Sequence, residues 1–278
     1  MQLKSIILMA SLACGSRLVR EGKTIMLVPS ITPTSLVVLS HGLGDTADGF
    51  ADVAVVLSRS MPHVKFIVPT APTQPVTLNG GMSMPSWYDI TSLSNNRAQE
   101  NCDGIEESAS VLRSILDKEH QETGIPYGRM VLAGFSQGGA LSLFTGFQME
   151  SQKKLAGILC MSGYLAASRK FKINKGLEDT KVLHFHGTSD PVVKFTWAQE
   201  TEAALKQQGA SNYQLKSMRG VEHTITAEEM QLAAQFIGSV LEETHPVELE
   251  TNGELERAVK NSGLGDKAVK LVPKNDEL

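Results

Sequence analysis

The segment that most constrains the fold runs from residue 129 to residue 145 and reads RMVLAGFSQGGALSLFT. Apolar residues before and after its centre predict a buried strand followed by a helix. The pattern G-x-S-x-G between them places Ser136 at a sharp strand-to-helix turn, an arrangement known as a nucleophile elbow. Side chains in place of Gly134 or Gly138 would collide with the neighbouring strand and helix. The sequence therefore predicts a strained, exposed Ser136 and places the Gln137 N–H at a helix N-terminus, where a developing negative charge is stabilised.

The composition limits what the chain can be, since its 278 residues can bury one sizeable hydrophobic core. The net charge is −4 and the pI is about 6.0, with no lysine- or arginine-rich run that would bind nucleic acid. No apolar stretch approaches the ~20 residues that a membrane span needs. Cys14, Cys102 and Cys160 are too few and too dispersed for a disulfide framework or a zinc site. Composition therefore predicts a globular protein without a metal site and without a nucleic-acid partner.

The two ends of the chain carry address signals. Residues 1–15 combine one charged residue, Lys4, with about nine mostly apolar residues and a small-x-small site at 11–13, which predicts a short signal peptide. The alternative for this segment is an N-terminal extension or a first strand. The last four residues form a variant of the K-D-E-L retrieval signal: Asn275, Asp276, Glu277 and Leu278. Together the signals predict retention in the lumen of the endoplasmic reticulum through a retrieval receptor, with a cytoplasmic location as the alternative.

Between these ends, apolar runs alternate with helical patterns over residues 26–241, which we interpret as one domain. Buried strands are predicted at 36–39, 64–68, 130–133, 155–161 and 181–186, and an edge-like strand at 213–218. A helical pattern over 105–116 is stopped by Gly124, and the last helix begins at Thr226 with a capping box to Glu229. This alternation predicts an α/β fold with a mostly parallel central sheet and helices on both faces.

Two segments are predicted to lack regular structure. The segment from 70 to about 92 contains three prolines and two adjacent glycines, which predict an irregular loop. A loop of this length inside a compact domain usually has a function. Residues 242–278 are polar and charged, and are predicted to form a C-terminal extension that presents the terminal tetrapeptide.

A serine nucleophile needs a histidine base, and a carboxylate that orients it; in this kind of fold the acid and then the histidine follow the serine along the chain. His223 lies in a loop between the edge-like strand and the last helix, where a movable base is expected. His184 and His186 alternate with apolar residues in a predicted strand, so we assign them packing or hydrogen-bonding roles. His245 lies in the polar extension. His223 is therefore the predicted base for Ser136.

Asp190 is the predicted acid because it lies in the turn that follows the strand over 182–185; the alternative is an ordinary Asp-Pro turn residue. An oxyanion hole needs a second backbone donor from the loop after an earlier strand. The H-G-L-G-D loop occupies that place, so the N–H groups of Leu43 and Gln137 are the predicted pair. His41 opens the same loop but precedes the serine, and it is assigned a structural role.

Five segments carry a resemblance to a known family. They are 39–45 (LSHGLGD), 85–89 (PSWYD), 134–142 (GFSQGGALS), 186–193 (HGTSDPVV) and 220–223 (GVEH). In this order they resemble the acyl-protein thioesterase/lysophospholipase family of carboxylesterases. The resemblance implies an α/β-hydrolase fold with a triad of Ser136, Asp190 and His223. It also implies an oxyanion hole from the backbone of Leu43 and Gln137.

The same resemblance implies the activity. Family members hydrolyse acyl thioesters on S-acylated proteins, lysophospholipids and simple carboxyl esters through an acyl-enzyme, without a cofactor. The segment over 75–89 resembles the loop that covers the acyl chain. Its expected substrate-binding residues are Leu78, Met82, Met84 and Trp87, for which ordinary core packing is the alternative.

The N-terminal extension and the C-terminal tail depart from the family pattern. In the lumen, the expected substrate is a lysophospholipid, another lipid ester or a lumenal acyl-protein, and the enzyme can contact a membrane surface transiently. One alternative is a non-catalytic, lipid-binding protein of hydrolase fold, which a broken triad would mark. The other is a serine peptidase of the same fold, against which only the acyl-covering loop argues.

Overall fold

The computed structural model describes residues 6–11, 16–93 and 100–241, and its main layer is one sheet of nine strands in the order β1-β2-β3-β5-β4-β8-β9-β10-β11. Strands β5, β4, β8, β9, β10 and β11 pair in parallel, whereas β1, β2, β3 and β5 pair antiparallel in succession. The strands are β1 (Ile6–Ser11), β2 (Ser16–Glu21), β3 (Thr24–Pro29), β4 (Ser35–Ser40), β5 (Val64–Val68), β6 (Thr73–Val76), β7 (Met82–Pro85), β8 (Met130–Phe135), β9 (Gly157–Met161), β10 (Val182–Gly187) and β11 (Tyr213–Met218).

Five helices in the described ranges cover the two faces of the sheet. They are α1 (Ala47–Ser58), α2 (Ile105–Thr123), α3 (Gln137–Gly146), α4 (Phe195–Gln207) and α5 (Ala227–Val240). In β4, Leu36 and Val38 pack towards α2 and α3, whereas Val37 and Leu39 pack towards α1 and α5. Both faces of a central strand are therefore apolar, as expected for a parallel sheet buried between helices. The predicted α/β fold with a mostly parallel sheet is confirmed.

Local sequence signals set several element boundaries. Thr226 and Glu229 form the predicted capping box at the start of α5, each side chain bonding to the backbone of the other residue. Gly124 ends α2 in the left-handed conformation, with φ 75°. Strand β11 lies at the edge of the sheet, as its alternating polar residues predict.

The prediction of an irregular segment from 70 to 92 is wrong. Strands β6 and β7 form an antiparallel hairpin, with Thr73 paired to Pro85 and Val76 paired to Met82. Pro75 is compatible with β6 because a two-stranded sheet has only edge strands, where a missing N–H need not break a ladder. Strands β2 and β3, which extend the sheet on its antiparallel side, were not predicted from the sequence.

The predicted address signals fall mostly outside the described residues. Within the predicted signal peptide, Ile6–Ser11 form β1, which pairs antiparallel with β2 and corresponds to the alternative of a first strand. The signal peptide itself stays a prediction. The extension over 242–278, with His245 and the terminal tetrapeptide, lies beyond the described part of the chain. Among the described residues, no helix combines the length and apolar character that a membrane crossing requires.

Candidate active site

The predicted strand-to-helix turn is present and strained. Ser136 has φ 55° and ψ −118°, a backbone conformation that residues other than glycine rarely adopt. Its N–H donates to the Met161 carbonyl at 2.8 Å. A Cβ on Gly134 would come within 2.3 Å of the Gly138 backbone. A Cβ on Gly138 would come within 2.1 Å of the Ser40 carbonyl oxygen. Glycine is therefore required at both positions for the turn to close.

The three residues predicted for proton transfer form a continuous chain of hydrogen bonds. His223 Nε2 lies 2.9 Å from Ser136 Oγ, and His223 Nδ1 lies 2.6 Å from Asp190 Oδ2. His223 is 8% exposed and Asp190 is 6% exposed, so water has little access to the link between them. The aromatic ring of Phe135 packs beside the imidazole, with 4.8 Å between the ring centroids. A neutral His223 that donates from Nδ1 to the carboxylate presents Nε2 as an acceptor for the Ser136 hydroxyl.

The carboxylate of Asp190 is held at both oxygens. The N–H groups of Val192 and Val193 both donate to Oδ1 at 2.8 Å, while His223 donates to Oδ2. Burial raises the pKa of Asp190, but the opposing hydrogen bonds from His186, His223 and Val193 bring it down to about 2. The acid is therefore ionised and fixed in orientation.

One predicted oxyanion donor follows Ser136 in the chain, and the other belongs to a loop that reaches the same turn, where a Cβ on Gly42 would lie 3.5 Å from Ser136 Cβ. Gln137 is the first residue of α3, where an N–H has no intrahelical partner. Among the described residues, none accepts a hydrogen bond from the Leu43 N–H. The next residue, Gly44, donates to the Pro85 carbonyl at 2.8 Å and so ties this loop to the β6–β7 hairpin.

His41 has the structural role that its position predicts. Its Nε2 accepts from the Ala71 N–H at 3.0 Å, so Nδ1 carries the hydrogen and donates to the Gly42 carbonyl at 2.7 Å. Burial lowers the pKa of His41, although the Gly42 carbonyl and Asp45 oppose this effect. A neutral, buried imidazole therefore fixes the loop that contains Leu43.

The side chain of Gln137 helps to hold the site together, a role that was not predicted from the sequence. It is 1% exposed and bonds to three groups of one segment. Its Oε1 accepts from the Trp87 N–H at 3.0 Å, and its Nε2 donates to the Tyr88 carbonyl at 2.7 Å and to Ser86 Oγ at 3.0 Å. Gln137 thus connects the turn at Ser136 to the segment that follows the hairpin. A polar residue in a fully buried helix was the available signal.

The four residues predicted to bind the acyl chain divide into two groups. Leu78 and Met84 are half-buried in the hairpin, and Met82 on β7 is 65% exposed. Trp87 is 1% exposed; its indole N–H donates to the His41 carbonyl at 2.8 Å. The first three therefore belong to one hairpin, whereas Trp87 is buried and bonds to the H-G-L-G-D loop.

The sequence profile of the phospholipase/carboxylesterase family matches residues 24–241, from β3 to the end of α5. The chain belongs to this family. It is accordingly a hydrolase of ester or thioester bonds, and the family resemblance seen in its motifs is confirmed.

Named relatives of the family extend the comparison. Acyl-protein thioesterase 1 homolog 1 of Dictyostelium discoideum is 41% identical over 211 residues, covering 76% of this chain and 92% of that protein. Acyl-protein thioesterase 1 of Mycosarcoma maydis is 36% identical over 235 residues, covering 79% and 97%. The crystal structure of acyl-protein thioesterase 2 from Zea mays is similar, with a TM-score of 0.68, 27% identity and coverage of 79% and 99%.

Proposed function

We propose that this family member is a serine hydrolase that cleaves acyl thioesters or carboxyl esters, with Ser136 as nucleophile, His223 as base and Asp190 as the orienting acid. The observation that carries the proposal is the hydrogen-bond chain from Ser136 Oγ through His223 to Asp190, with distances of 2.9 and 2.6 Å. A hydroxyl is a weak nucleophile until an adjacent base accepts its proton. This arrangement supplies such a base and fixes its tautomer.

In the proposed reaction, the Ser136 oxygen attacks the substrate carbonyl carbon while His223 Nε2 takes the hydroxyl proton. The protonated imidazole is stabilised by the ionised Asp190 and then gives its proton to the leaving thiol or alcohol. A water molecule, deprotonated by His223, hydrolyses the resulting acyl-Ser136 ester. The proton returns to Ser136 as the acid product leaves, so the enzyme is regenerated without a cofactor.

The negative charge of each tetrahedral intermediate needs donors that are already oriented. The N–H groups of Leu43 and Gln137 are proposed for this role, and the N-terminal end of α3 adds a favourable dipole. Loss of one such donor costs about 2.7–4 kcal/mol of transition-state stabilisation in enzymes of this type. Because these donors are backbone groups, their positions depend on the side chains that hold the two segments, such as His41 and Gln137.

The acyl group is proposed to lie along the β6–β7 hairpin, where Leu78, Met82 and Met84 offer apolar surface next to the oxyanion loop. The relatives are named acyl-protein thioesterases, which supports an acylated protein as substrate. The two address signals support a lumenal location, where a lysophospholipid, another lipid ester or a lumenal acyl-protein would be the substrate. The retrieval receptor would bind the terminal residues 275–278.

Activity is tested with the purified protein and its Ser136→Ala variant on a long-chain acyl thioester, a lysophospholipid and a short-chain ester. We expect turnover by the parent and its loss in the variant, and covalent labelling of Ser136 by a fluorophosphonate. Ser189→Ala, which removes an exposed hydroxyl next to Asp190, is the matched control and is expected to keep full activity. Turnover that survives in Ser136→Ala would contradict the proposal. A folded but inactive parent would favour the lipid-binding alternative, and cleavage of peptides alone would favour a peptidase.

Location is tested separately with an epitope inserted in the extension, which leaves both ends free. We expect colocalisation with the endoplasmic reticulum, and secretion when residues 275–278 are deleted. A cytoplasmic distribution of both forms would contradict the lumenal proposal without affecting the catalytic one.

A further inference from the structure

Two buried histidines, His184 and His186, lie on the same face of β10, the strand that precedes Asp190. His184 and His186 are both fully buried, and they are two residues apart in a strand, so their rings lie on one side of the sheet. The sequence predicts packing or hydrogen-bonding roles for them, and hydrogen bonding is confirmed at each of their four ring nitrogens. Buried polar groups normally need such partners, but these partners lead towards the acid of the proposed triad.

The partners determine where the hydrogens lie. His186 Nε2 faces the Val193 carbonyl at 2.7 Å; a carbonyl only accepts, so Nε2 carries the hydrogen. In a neutral ring His186 Nδ1 is then an acceptor, and His184 Nε2, 3.3 Å away, is its donor. His184 Nδ1 must in turn accept, and the Tyr213 hydroxyl donates to it at 2.5 Å. The chain therefore runs in one direction, from Tyr213 through both imidazoles to Val193.

Burial opposes charge on two members of this chain, His184 and Tyr213. Burial, together with the neighbouring His186, lowers the pKa of His184 well below its ordinary value, although a hydrogen bond to the backbone of Gly163 opposes this effect. Burial raises the pKa of Tyr213 well above its ordinary value and also raises that of the Cys160 thiol, which lies beside His184 on β9. Two carboxyl groups influence the chain electrostatically: Glu202 acts on Tyr213, and Glu229 interacts with His186. Asp190 is an ionised group that lies directly beside His186, the last imidazole of the chain.

His186 reaches Asp190 by two routes. Its Nε2 lies 3.4 Å from Asp190 Oδ2, the oxygen that also accepts from His223. Its hydrogen bond to the Val193 carbonyl holds the residue whose N–H donates to Asp190 Oδ1 at 2.8 Å. An N–H group near each oxygen resists rotation of the carboxylate. Rotation would break the bond that orients His223.

We propose that His186 is a positioning residue for Asp190, and that His184 and Tyr213 hold it in the tautomer that donates from Nε2. The proposal rests on the proposed catalytic function, because it gives the orienting acid a support of its own. His186 contacts no reacting atom; it acts through Asp190. Reversal of the tautomer would turn a lone pair towards the Val193 carbonyl and the carboxylate, and would push both away.

The tautomers can be read without any substrate. In the full chain labelled with nitrogen-15, the imidazole shifts at neutral pH should identify His184 and His186 as Nε2–H tautomers. Tyr213→Phe, which keeps the ring and removes the donor, should change the His184 shifts and leave the fold intact. An Nδ1–H tautomer at His186 would overturn the proposal, whether or not the enzyme is active on esters.

The kinetic test compares His186→Leu with His186→Gln, whose amide nitrogen can reach the position of Nε2. For the leucine variant we expect kcat to fall about 10–100-fold with KM changed less than about 3-fold. Because Asp190 loses a donor, its carboxylate attracts the protonated His223 more strongly, and the acid limb of the kcat/KM profile should move to higher pH by a few tenths of a unit. The glutamine variant should recover kcat to within about 3-fold of the parent.

The outcomes separate this proposal from the catalytic one. A parent without esterase activity would refute the proposed function, while the tautomer measurement would still decide the role of His186. An active parent whose folded His186→Leu variant keeps its kcat and its acid limb would refute the positioning role. Equal losses in the leucine and glutamine variants would also refute it. Should the leucine variant not fold, Tyr213→Phe takes its place, with a smaller shift in the same direction expected and an unchanged profile counting against the proposal.

Discussion

The two halves of the candidate site are held in different ways. The proposed proton-transfer half, formed by Ser136, His223 and Asp190, consists of side chains that bond directly to one another. The proposed oxyanion half, formed by the N–H groups of Leu43 and Gln137, consists of backbone atoms whose positions depend on side chains one or two contacts away. We therefore expect a substitution in the first half to remove a reacting side chain, whereas a substitution around the second half should displace a backbone N–H group.

The largest expected effect is that of Asp190→Asn, which is nearly isosteric and removes the charge. An amide presents an N–H where Oδ2 accepts from His223, so the imidazole adopts the wrong tautomer and the protonated base loses its counter-ion. We expect kcat to fall by about 10⁴-fold, as measured for the same change in a serine protease triad. The measurement is turnover of a short-chain ester across pH.

A control for Asp190→Asn is the thermal unfolding profile, because Asp190 also receives the N–H groups of Val192 and Val193. If the variant is folded and loses less than about tenfold in kcat, Asp190 is not the orienting acid and the two halves do not differ as described.

The sequence singles out the residues of the proposed proton-transfer half because most of the constraints on them are local, and the structure brings their side chains together. A Cβ on Gly134 would collide with Gly138, which is close in sequence, and Asp190 lies in the turn just after β10. The collision at Gly138, by contrast, involves Ser40 at the end of β4. The hairpin was mispredicted for the opposite reason. Pro75 argues against a strand interior, and its tolerance in β6 depends on a partner strand that no local pattern reveals.

Gln137→Ala should have the next largest effect and tests the oxyanion half. The backbone N–H remains, but the Trp87 N–H and the Tyr88 carbonyl lose their buried partner. We expect kcat to fall about 10–100-fold as the segment beneath the oxyanion loop shifts, together with a stability loss of about 1–3 kcal/mol. Steady-state kinetics and denaturant unfolding measure the two effects.

Leu43→Ala is the matched control, because it shortens the side chain of Leu43 and keeps its backbone N–H, the second proposed donor. Its kcat should stay within about 3-fold of the parent. If Gln137→Ala behaves as mildly as Leu43→Ala, the oxyanion donors do not depend on the side chain of Gln137. The distinction between the halves would then lose its basis.

The residues that hold the two halves in place have partners that could not be predicted from the sequence, for one physical reason. Gln137 bonds to residues about 50 positions earlier, and His184 bonds to Tyr213, 29 positions later. Both positions were visible as polar residues in apolar elements. Their partners are fixed by the packing of strands and helices, which a linear pattern does not encode. The sequence can therefore indicate that such a residue needs a partner but not which one it finds.

Glu229→Gln tests a titrating group that interacts electrostatically with His186. Burial raises the pKa of Glu229 from 4.5 to about 7 despite its bonds to Thr226, and its Oε1 has no partner among the described residues. The protonated form is favoured in the fold, so the parent loses stability as the pH rises from about 4.5 through about 7. Glutamine keeps an acceptor for Thr226 and carries no charge.

The variant should therefore equal the parent in stability near pH 5 and exceed it by about 1–3 kcal/mol near pH 8. Denaturant unfolding of both proteins at the two pH values measures the difference. A difference that does not change with pH would show that Glu229 is ionised in the fold at both values, and that α5 does not begin on a neutral carboxyl.

The smallest expected effect is that of Met82→Ser on the exposed face of the hairpin, which borders the oxyanion half without supporting it. Loss of apolar contact with an acyl chain should lower kcat/KM for a long-chain ester about 2–5-fold and leave a short-chain ester unchanged. Ile31→Ser is the matched control: it removes a side chain that is 55% exposed, just before β4 and at the opposite end of the sheet from Ser136. Equal losses on both esters would mean that Met82 acts on the donors, and equal losses in both variants would mean a general surface effect. A loss confined to Met82→Ser and the long chain would assign the exposed face of the hairpin to substrate binding and separate it from the proposed oxyanion half.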